Sequence, residues 1–281
     1  LTRSAIFRNA KIFTFEERRG KRMSVGISTA CFYPAATEEA LHCVAEAGAK
    51  VTEVFFNSPS ELEPDFLRRI SSIASDSGIR IRSIHPFTSF AEGYILFSQY
   101  ERRFDDYREF YKKYYAAASV IGAKIVVLHG AKLPVNISTD EYAERLSLLV
   151  RDAQEQGIIL AQENVVHHNG QTPELMNELK ARLGANFHMV LDIKQAYLAG
   201  VDPIEFFGEF SDNICHIHLS DHDENHKCMP PFDGKFDFAA LFSLMKETGY
   251  SGDCVIELYR SGFERIDQLT DSMRRLEKLD I

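Results

Sequence analysis

Short apolar runs alternate with longer amphipathic stretches along most of the chain, beginning after Met23. The apolar runs are rich in β-branched residues and nearly continuous, as in VVL, IIL and CVI, which is typical of strands buried on both faces. This alternation predicts repeated βα units around a parallel sheet. Eight units can be counted, with predicted strands at Ser24–Ser28, Val51–Phe56, Ile79–His85, Lys124–His129, Ile158–Glu163, Phe187–Asp192, Asn213–Leu219 and Asp253–Leu258.

The predicted helices have marked ends. They cover Thr37–Ala47, Leu62–Ser77, Tyr100–Ile121, Asp140–Gln156, Pro173–Leu183, Asp237–Thr248 and Glu264–Leu279, and six of them are followed by Gly48, Gly78, Gly122, Gly157, Gly184 and Gly249. Glycine there supplies the left-handed residue that ends a helix, while Ser138 and Thr172 are predicted N-caps and Pro173 a first helical residue. The pattern predicts a single α/β domain, a (β/α)8 TIM barrel over residues 23–281. An open doubly wound sheet is the alternative, but the chain lacks the GxGxxG phosphate turn usual in that fold.

Composition narrows the class of partner. The 281 residues are 45% hydrophobic, enough for one large barrel, and their formal charge of -9 argues against nucleic acid as the main partner. A small-molecule substrate is expected instead. The five cysteines are scattered and lack a CxxC pair, which fits a reducing cytoplasm, and no apolar run reaches the length of a membrane span. Residues 1–22 are rich in Arg and Lys and are predicted to be an N-terminal extension.

Ionisable side chains close most of the predicted strands. They are His85, His129, Glu163, Asp192, His218 and Glu257, on strands three to eight in that order. The catalytic groups of a TIM barrel lie at these strand ends. Any one of them could be a helix cap or a structural histidine. Carboxylates that converge in one barrel mouth, however, repel each other unless a cation or a shared proton neutralises them.

The last four of these residues therefore predict one bound divalent metal ion, held by Glu163, Asp192, His218 and Glu257. Three carboxylates and one imidazole form a mostly hard donor set. This set favours Mn²⁺, Mg²⁺ or Co²⁺, with Zn²⁺ as the next choice because no thiolate is present to select it.

The segments SIHPF, VVLHGA, QEN, LDIKQA, HIHLSD, FDGKFDF and CVIELY resemble the xylose isomerase-like TIM barrels over roughly residues 24–260. That family includes small-sugar isomerases, epimerases and DNA repair enzymes of the endonuclease IV type. The resemblance implies the same four metal ligands, with Glu163 and Glu257 also acting as acid and base. One of them removes a proton next to a carbonyl, the other returns one, and the metal stabilises the enediolate between these steps.

The same resemblance predicts substrate contacts at His85, His129 and Gln195. Lys194 and Arg260 are also predicted to contact the substrate, because they lie in or just beyond βα loops and carry charges that suit a carboxylate or phosphate. His85 and His129 match positions that hold further zinc ions in endonuclease IV and line the pocket in epimerases. Three positions depart from the family pattern: Gln195 replaces a substrate-binding histidine, Glu224 replaces an arginine, and Asp233-Gly-Lys235 replaces an Asp-x-His zinc pair. The missing zinc pair makes the nuclease the weaker interpretation.

The leading hypothesis is a metal-dependent isomerase or epimerase of a small sugar or related hydroxy-carbonyl compound. A lyase or dehydratase would use the same metal and the same proton abstraction but expel a hydroxyl group. The remaining alternatives are an abasic-site endonuclease and a binding protein that has lost catalysis. The resemblance is also compatible with a homo-oligomer.

Overall fold

Eight parallel strands close into a barrel in a computed structural model that describes residues 23–134 and 136–279. The strands are β1 (Val25–Ser28), β2 (Val51–Phe55), β3 (Arg80–His85), β4 (Ile125–Leu128), β5 (Ile159–Glu163), β6 (His188–Asp192), β7 (Ile214–Leu219) and β8 (Asp253–Ile256). Val25 pairs with Cys254 and Ile27 with Ile256, so β1 closes on β8. The predicted TIM barrel is confirmed and the open sheet is wrong. The predicted extension at residues 1–22 lies outside the described residues.

The observed strands agree with the predicted ones to within two residues at every end. β4 and β8 end earlier than predicted, next to two predicted site residues. β4 ends at Leu128 and β8 at Ile256, so His129 and Glu257 are the first residues after their strands. Both side chains therefore stand on the loops at the rim of the barrel mouth.

Ten α-helices surround the barrel within the described residues. They are α1 (Thr37–Glu46), α2 (Pro64–Asp76), α3 (Glu92–Ile95), α4 (Glu101–Val120), α5 (Thr139–Glu155), α6 (Pro173–Leu183), α7 (Ile193–Leu198), α8 (Pro203–Phe210), α9 (Phe238–Glu247) and α10 (Ile266–Leu276). The sequence pattern missed α3, α7 and α8. All three are short: α3 is a single turn, α7 has six residues and α8 has eight, too few to show several helical periods. None of the ten helices is both long and apolar enough to cross a membrane.

The helix ends largely follow the predicted signals. All six glycines predicted to end helices have a positive φ. The Ser138 side chain accepts a hydrogen bond from the backbone N–H of Glu141, and Pro173 opens α6. Thr172 occupies the predicted N-cap position of α6, but its side chain makes no capping hydrogen bond.

The interior of the barrel has an apolar side and a polar side. Ile125, Val127, Ala161 and Val190 form a small apolar cluster on β4, β5 and β6. Glu53, Ser83 and His216, from β2, β3 and β7, are completely buried polar residues. A much larger apolar core fills the space between the helices and the barrel wall. The polar side of the interior lies next to the predicted site, because Glu53 contacts His218 near the end of β7.

We expect Gly26→Ala to destabilise the barrel severely. A Cβ atom at Gly26 would overlap the backbone carbonyl group of Val51 on the neighbouring strand, which cannot move without opening the ladder between β1 and β2. The free energy of unfolding in urea should fall by about 3 kcal/mol. Gly208→Ala is the control, because its Cβ would meet only a Leu244 methyl group at 3.7 Å. That change should raise stability by up to about 1 kcal/mol. If both substitutions changed the free energy of unfolding by the same amount, the close contact between Gly26 and Val51 would not be the cause.

Candidate metal centre

Four side chains from four successive strands meet at the carboxyl end of the barrel. Glu163 ends β5, Asp192 ends β6, His218 lies near the end of β7, and Glu257 follows β8. One ligand atom from each lies within 4.8 Å of all the others. His218 Nδ1 is 2.8 Å from Glu257 Oε2, 3.5 Å from Glu163 Oε1 and 3.8 Å from Asp192 Oδ2. The structure thus brings together the four residues that the sequence predicts as metal ligands.

The donor atoms of this centre fit a divalent cation. Glu163, Asp192 and His218 are each about 1% exposed, and the Glu257 side chain is 12% exposed. Glu163 Oε2, Asp192 Oδ2 and His218 Nδ1 make no hydrogen bond of good geometry among the described residues, although His218 Nδ1 lies 2.8 Å from Glu257 Oε2 and Glu163 Oε2 lies 3.1 Å from His129 Nε2. Buried polar atoms without partners are costly, and a shared cation would satisfy all three of these. Three carboxylates and an imidazole suit a hard or borderline metal ion.

The electrostatics keep the carboxylates in the ionised form that metal ligands require. Burial alone would raise the pKa of Glu163, but the neighbouring His129 and His218 hold it well below its ordinary value. Burial likewise opposes charge on His218, yet Glu257 and Glu53 raise the pKa of its imidazole well above the ordinary value. The ionised form of Glu163 and the protonated form of His218 are therefore both favoured, and the two side chains carry opposite charges.

His85 and His129 form a second trio with Glu163. The two histidine Nε2 atoms are 2.9 Å apart, and Glu163 Oε2 lies 3.1 Å from that of His129 and 3.7 Å from that of His85. His85 also stacks on Phe55 with ring centres 4.7 Å apart. These two predicted substrate residues stand beside the predicted centre. Because their ring nitrogens and Glu163 could also hold a second cation, the number of bound metals has to be measured.

Lys194 and Gln195 lie in the first turn of α7, directly after Asp192. The buried Lys194 Nζ is 3.5 Å from Asp192 Oδ2 and 4.6 Å from the centre of the Tyr259 ring. Burial disfavours its charge, but Asp192 and Glu257 raise the pKa of its ammonium well above the ordinary value. The Gln195 backbone N–H is capped by Asp192 Oδ1 at 2.9 Å, and its side-chain oxygen accepts from the backbone N–H of Val166 at 3.0 Å.

Arg260 contacts Phe263 rather than the four predicted metal ligands. Its side chain is exposed, donates to the carbonyl oxygen of Phe263 at 2.8 Å and covers the Phe263 ring at 4.7 Å. Glu224, which replaces a family arginine, pairs with Lys235 at 2.7 Å on an exposed loop. The predicted substrate contact of Arg260 would therefore require it to leave Phe263.

Two residues that support the centre were missed by the sequence analysis. Glu53 is fully buried on β2, and its Oε2 lies 3.2 Å from Nε2 of His218. Asn164 binds the main chain of Asp192 at both its N–H and its carbonyl, at 2.7 and 3.1 Å. The signal for Glu53 was present, because a charged residue in the middle of the apolar strand VTEVF is unusual. Asn164 had no distinguishing signal beyond its place after Glu163.

Glu92 anchors the loop that follows His129. Its carboxyl group is fully buried, accepts the backbone N–H of Gly130 at 2.7 Å and accepts the Tyr111 hydroxyl at 2.5 Å. Gly130 has a φ of 84°, and a Cβ there would overlap the Tyr142 hydroxyl. Burial raises the pKa of Glu92 from 4.5 to about 7. The loop therefore depends on an acid whose ionisation costs free energy near neutral pH.

Comparisons with known proteins identify the family of the chain and support its fold. The sequence model of the xylose isomerase-like TIM barrel family matches residues 41–279. An uncharacterized protein of Methanocaldococcus jannaschii is 24% identical over 251 residues, covering 84% of this chain and 83% of that protein. Inosose dehydratase of Lacticaseibacillus casei is 26% identical over 142 residues, 42% of this chain and 48% of the dehydratase. The crystal structure of a D-tagatose 3-epimerase-like protein superposes with a TM-score of 0.77 at 22% identity, over 92% and 97% of the two chains.

We expect Glu92→Gln to change how stability depends on pH. A carboxyl group whose pKa is raised by folding stabilises the protein fully below its unfolded value, and that contribution is lost as pH rises through the folded value. The window here runs from 4.5 to about 7. At pH 8 the variant should be more stable than the parent, by an amount on the order of 3 kcal/mol. At pH 4.5 the two should be nearly equal.

The comparison is made by urea denaturation at a series of pH values. Glu155→Gln, an exposed substitution at the end of α5, is the control and should leave the pH profile unchanged. A constant difference between the Glu92→Gln variant and its parent from pH 4.5 to 8 would show that Glu92 does not carry the effect.

Proposed function

Because the chain belongs to the xylose isomerase-like TIM barrel family, we propose that it is a divalent-metal-dependent isomerase or epimerase of a small sugar or related hydroxy-carbonyl compound. The observation that carries the proposal is the convergence of Glu163, Asp192, His218 and Glu257 within 4.8 Å at the mouth of the barrel. The acidic formal charge of -9 supports a small-molecule substrate rather than nucleic acid. One metal ion per chain is proposed, with Mn²⁺, Mg²⁺ or Co²⁺ favoured.

Two of the four ligand residues can also move protons. Glu163 and Glu257 both approach His218 Nδ1, at 3.5 and 2.8 Å, from different strands. In the proposed reaction one of these glutamates removes the proton from the carbon beside the substrate carbonyl, and the other delivers a proton to the product. A divalent metal at this site supplies Lewis acidity for the carbonyl oxygen. Glu163 is almost completely buried, whereas the Glu257 side chain is 12% exposed, so the two glutamates differ in their access to solvent.

The side chains around the centre favour an oxygen-rich substrate. His85 and His129 offer ring nitrogens, and Gln195 offers its amide nitrogen because its oxygen is held by Val166. Three carboxylates and a divalent cation leave one negative charge in excess, and Glu53 behind His218 adds a second. The ammonium of Lys194 balances one of these charges, and the imidazole of His85, whose pKa is raised to about 9 beside Glu163 despite its burial, balances the other. A substrate that carries a carboxylate or phosphate is therefore not repelled. Arg260 can join such a substrate only by giving up its contact with Phe263.

A lyase or dehydratase is the second candidate. Lys194 places an ammonium group 3.5 Å from Asp192 Oδ2, where its fixed positive charge would stabilise the negative charge that develops on a departing hydroxyl group. The partial similarity to inosose dehydratase supports the same alternative. Loss of water changes the mass of the product, so mass spectrometry of products separates this reaction from an isomerisation. An abasic-site nuclease would instead cleave abasic duplex DNA and bind more than one metal ion.

Glu163→Gln and Glu257→Gln should each abolish exchange of substrate hydrogen with solvent. Substrates to be screened in D₂O include ketoses, hydroxypyruvate, inososes and their phosphates, with metal content measured on the same samples. Removing an acid or base of this kind lowers the rate by about 100-fold or more. Glu155→Gln on α5 is the control and should keep full exchange and full metal content. Undiminished exchange in both active-site variants would refute the acid and base assignment.

Lys194→Met should raise KM for anionic substrates more than KM for neutral ones. Loss of a charge-assisted contact costs roughly 1.5 to 3 kcal/mol, so KM for a carboxylate or phosphate substrate should rise by about 10-fold or more. KM for a neutral sugar should change little. Lys227→Met is a matched control, because Lys227 also lies over a tyrosine ring, Tyr197 at 5.0 Å, but is exposed. Equal increases of KM for both substrate classes would show that Lys194 has no part in recognising an anion.

A further inference from the structure

His218 lies between two sets of carboxylates, one on each of its ring nitrogens. Its Nδ1 faces the metal centre, 2.8 Å from Glu257 Oε2. Its Nε2 faces the barrel interior, 3.2 Å from Oε2 of Glu53. β2, which carries Glu53, is separated from β7 by β8 and β1, so this contact crosses the interior of the barrel. Glu53 and His218 are 0% and 1% exposed, so water does not compete for the contact.

We infer that Glu53 is a positioning residue that holds His218 in the tautomer with a proton on Nε2, so that Nδ1 presents its lone pair to the metal. The inference rests on the proposed metal centre. A neutral imidazole carries one N–H and one lone pair, and an ionised carboxylate can only accept. Both ring nitrogens face a carboxylate, but a metal bound between His218 and Glu257 takes the lone pair of Nδ1. The N–H then lies on Nε2, which donates to Glu53. A carboxylate behind a ligating histidine also raises the basicity of the ring and strengthens the metal bond.

Glu53 is itself held in place by residues outside the four-ligand centre. The Ser83 hydroxyl donates to Glu53 Oε2 at 2.7 Å. His216 Nε2 lies 3.1 Å from that hydroxyl and 3.5 Å from Glu53 Oε2. His216 Nδ1 is 2.8 Å from the carbonyl oxygen of Asp253 at the start of β8. This chain of contacts fixes the carboxylate of Glu53 on the polar side of the barrel interior, so an acceptor for Nε2 of His218 is in place before any metal binds.

A buried ion pair with only a structural role would affect folding but not the affinity for metal. A positioning residue affects metal affinity, and its partner shows a defined tautomer. The two roles are therefore distinguished by measurements on metal binding rather than on activity.

The tautomer can be measured on the parent protein. Long-range ¹H–¹⁵N correlation spectra of protein with ¹⁵N-labelled histidine and bound Zn²⁺ report which ring nitrogen carries the proton. The His218 signals are assigned by their loss in His218→Gln. We expect a proton on Nε2 and the metal on Nδ1. A proton on Nδ1, with Nε2 free or metal-bound, would overturn the inference whatever happens to the variants.

The affinity test uses Glu53→Gln with Zn²⁺ and a competing chelator. Substitutions behind a metal ligand typically weaken binding by about 10- to 100-fold, and we expect a loss in that range. Thr52→Val is the matched control on the same strand: it removes a buried hydroxyl that binds the carbonyl of Ile27 at 2.7 Å. It should change Zn²⁺ affinity by less than about 3-fold, well below the loss expected behind a ligand. Thermal unfolding in chelator checks that both variants fold.

The outcomes separate this inference from the proposed function. Suppose that the parent binds Zn²⁺ and that Glu257→Gln loses it. If Glu53→Gln then binds Zn²⁺ as tightly as the parent does, the role of Glu53 is overturned and the metal centre is still supported. A parent protein that binds no Zn²⁺, Mn²⁺, Mg²⁺ or Co²⁺ would refute the metal centre itself. If Glu53→Gln does not fold, the tautomer measured on the parent decides the question.

Discussion

Repulsion between buried carboxylates is the constraint on which the rest of this structure depends. Glu163, Asp192 and Glu257 approach one another at the barrel mouth, and the first two are almost completely buried. Like charges at this separation are tolerated only beside compensating positive charge. His218 lies among the three, and Lys194 lies beside Asp192. A divalent cation completes the same compensation, which is why the donor set fits a metal and why the neighbouring groups are basic.

This constraint accounts for the uneven interior of the barrel. TIM barrels are usually filled by bulky branched side chains. Here an apolar cluster occupies the side formed by β4, β5 and β6, while Glu53, Ser83 and His216 occupy the side below His218. Removing a single partner from such a buried network leaves another group unsatisfied. The polar residues below the centre therefore belong to the machinery of the site as well as to the core.

The departures from the family pattern all lie close to the centre or on its loops. Gln195 is held by Val166 and by the cap from Asp192, so it is a fixed part of the wall. Lys194 adds a buried positive charge next to the carboxylates. Gln195 and Lys194 together set the charge and the hydrogen-bonding groups beside Asp192, while Glu163 and Glu257, the glutamates proposed to transfer protons, are both present. This combination suits a change of substrate within one reaction type, or a change from isomerisation to elimination.

The sequence by itself determined the barrel and the identity of the four converging residues. Strand periodicity and helix-ending glycines act locally, and parallel strands bring their carboxyl ends to one face, so Glu163 and Asp192 could be placed together without coordinates. Tertiary structure alone decided which side chains support them. Glu53 reaches His218 from a strand that is not adjacent to β7, and Glu92 reaches Gly130 from a helical turn after β3. These contacts depend on barrel closure and on the path of a loop, and neither leaves a periodic signal in the chain.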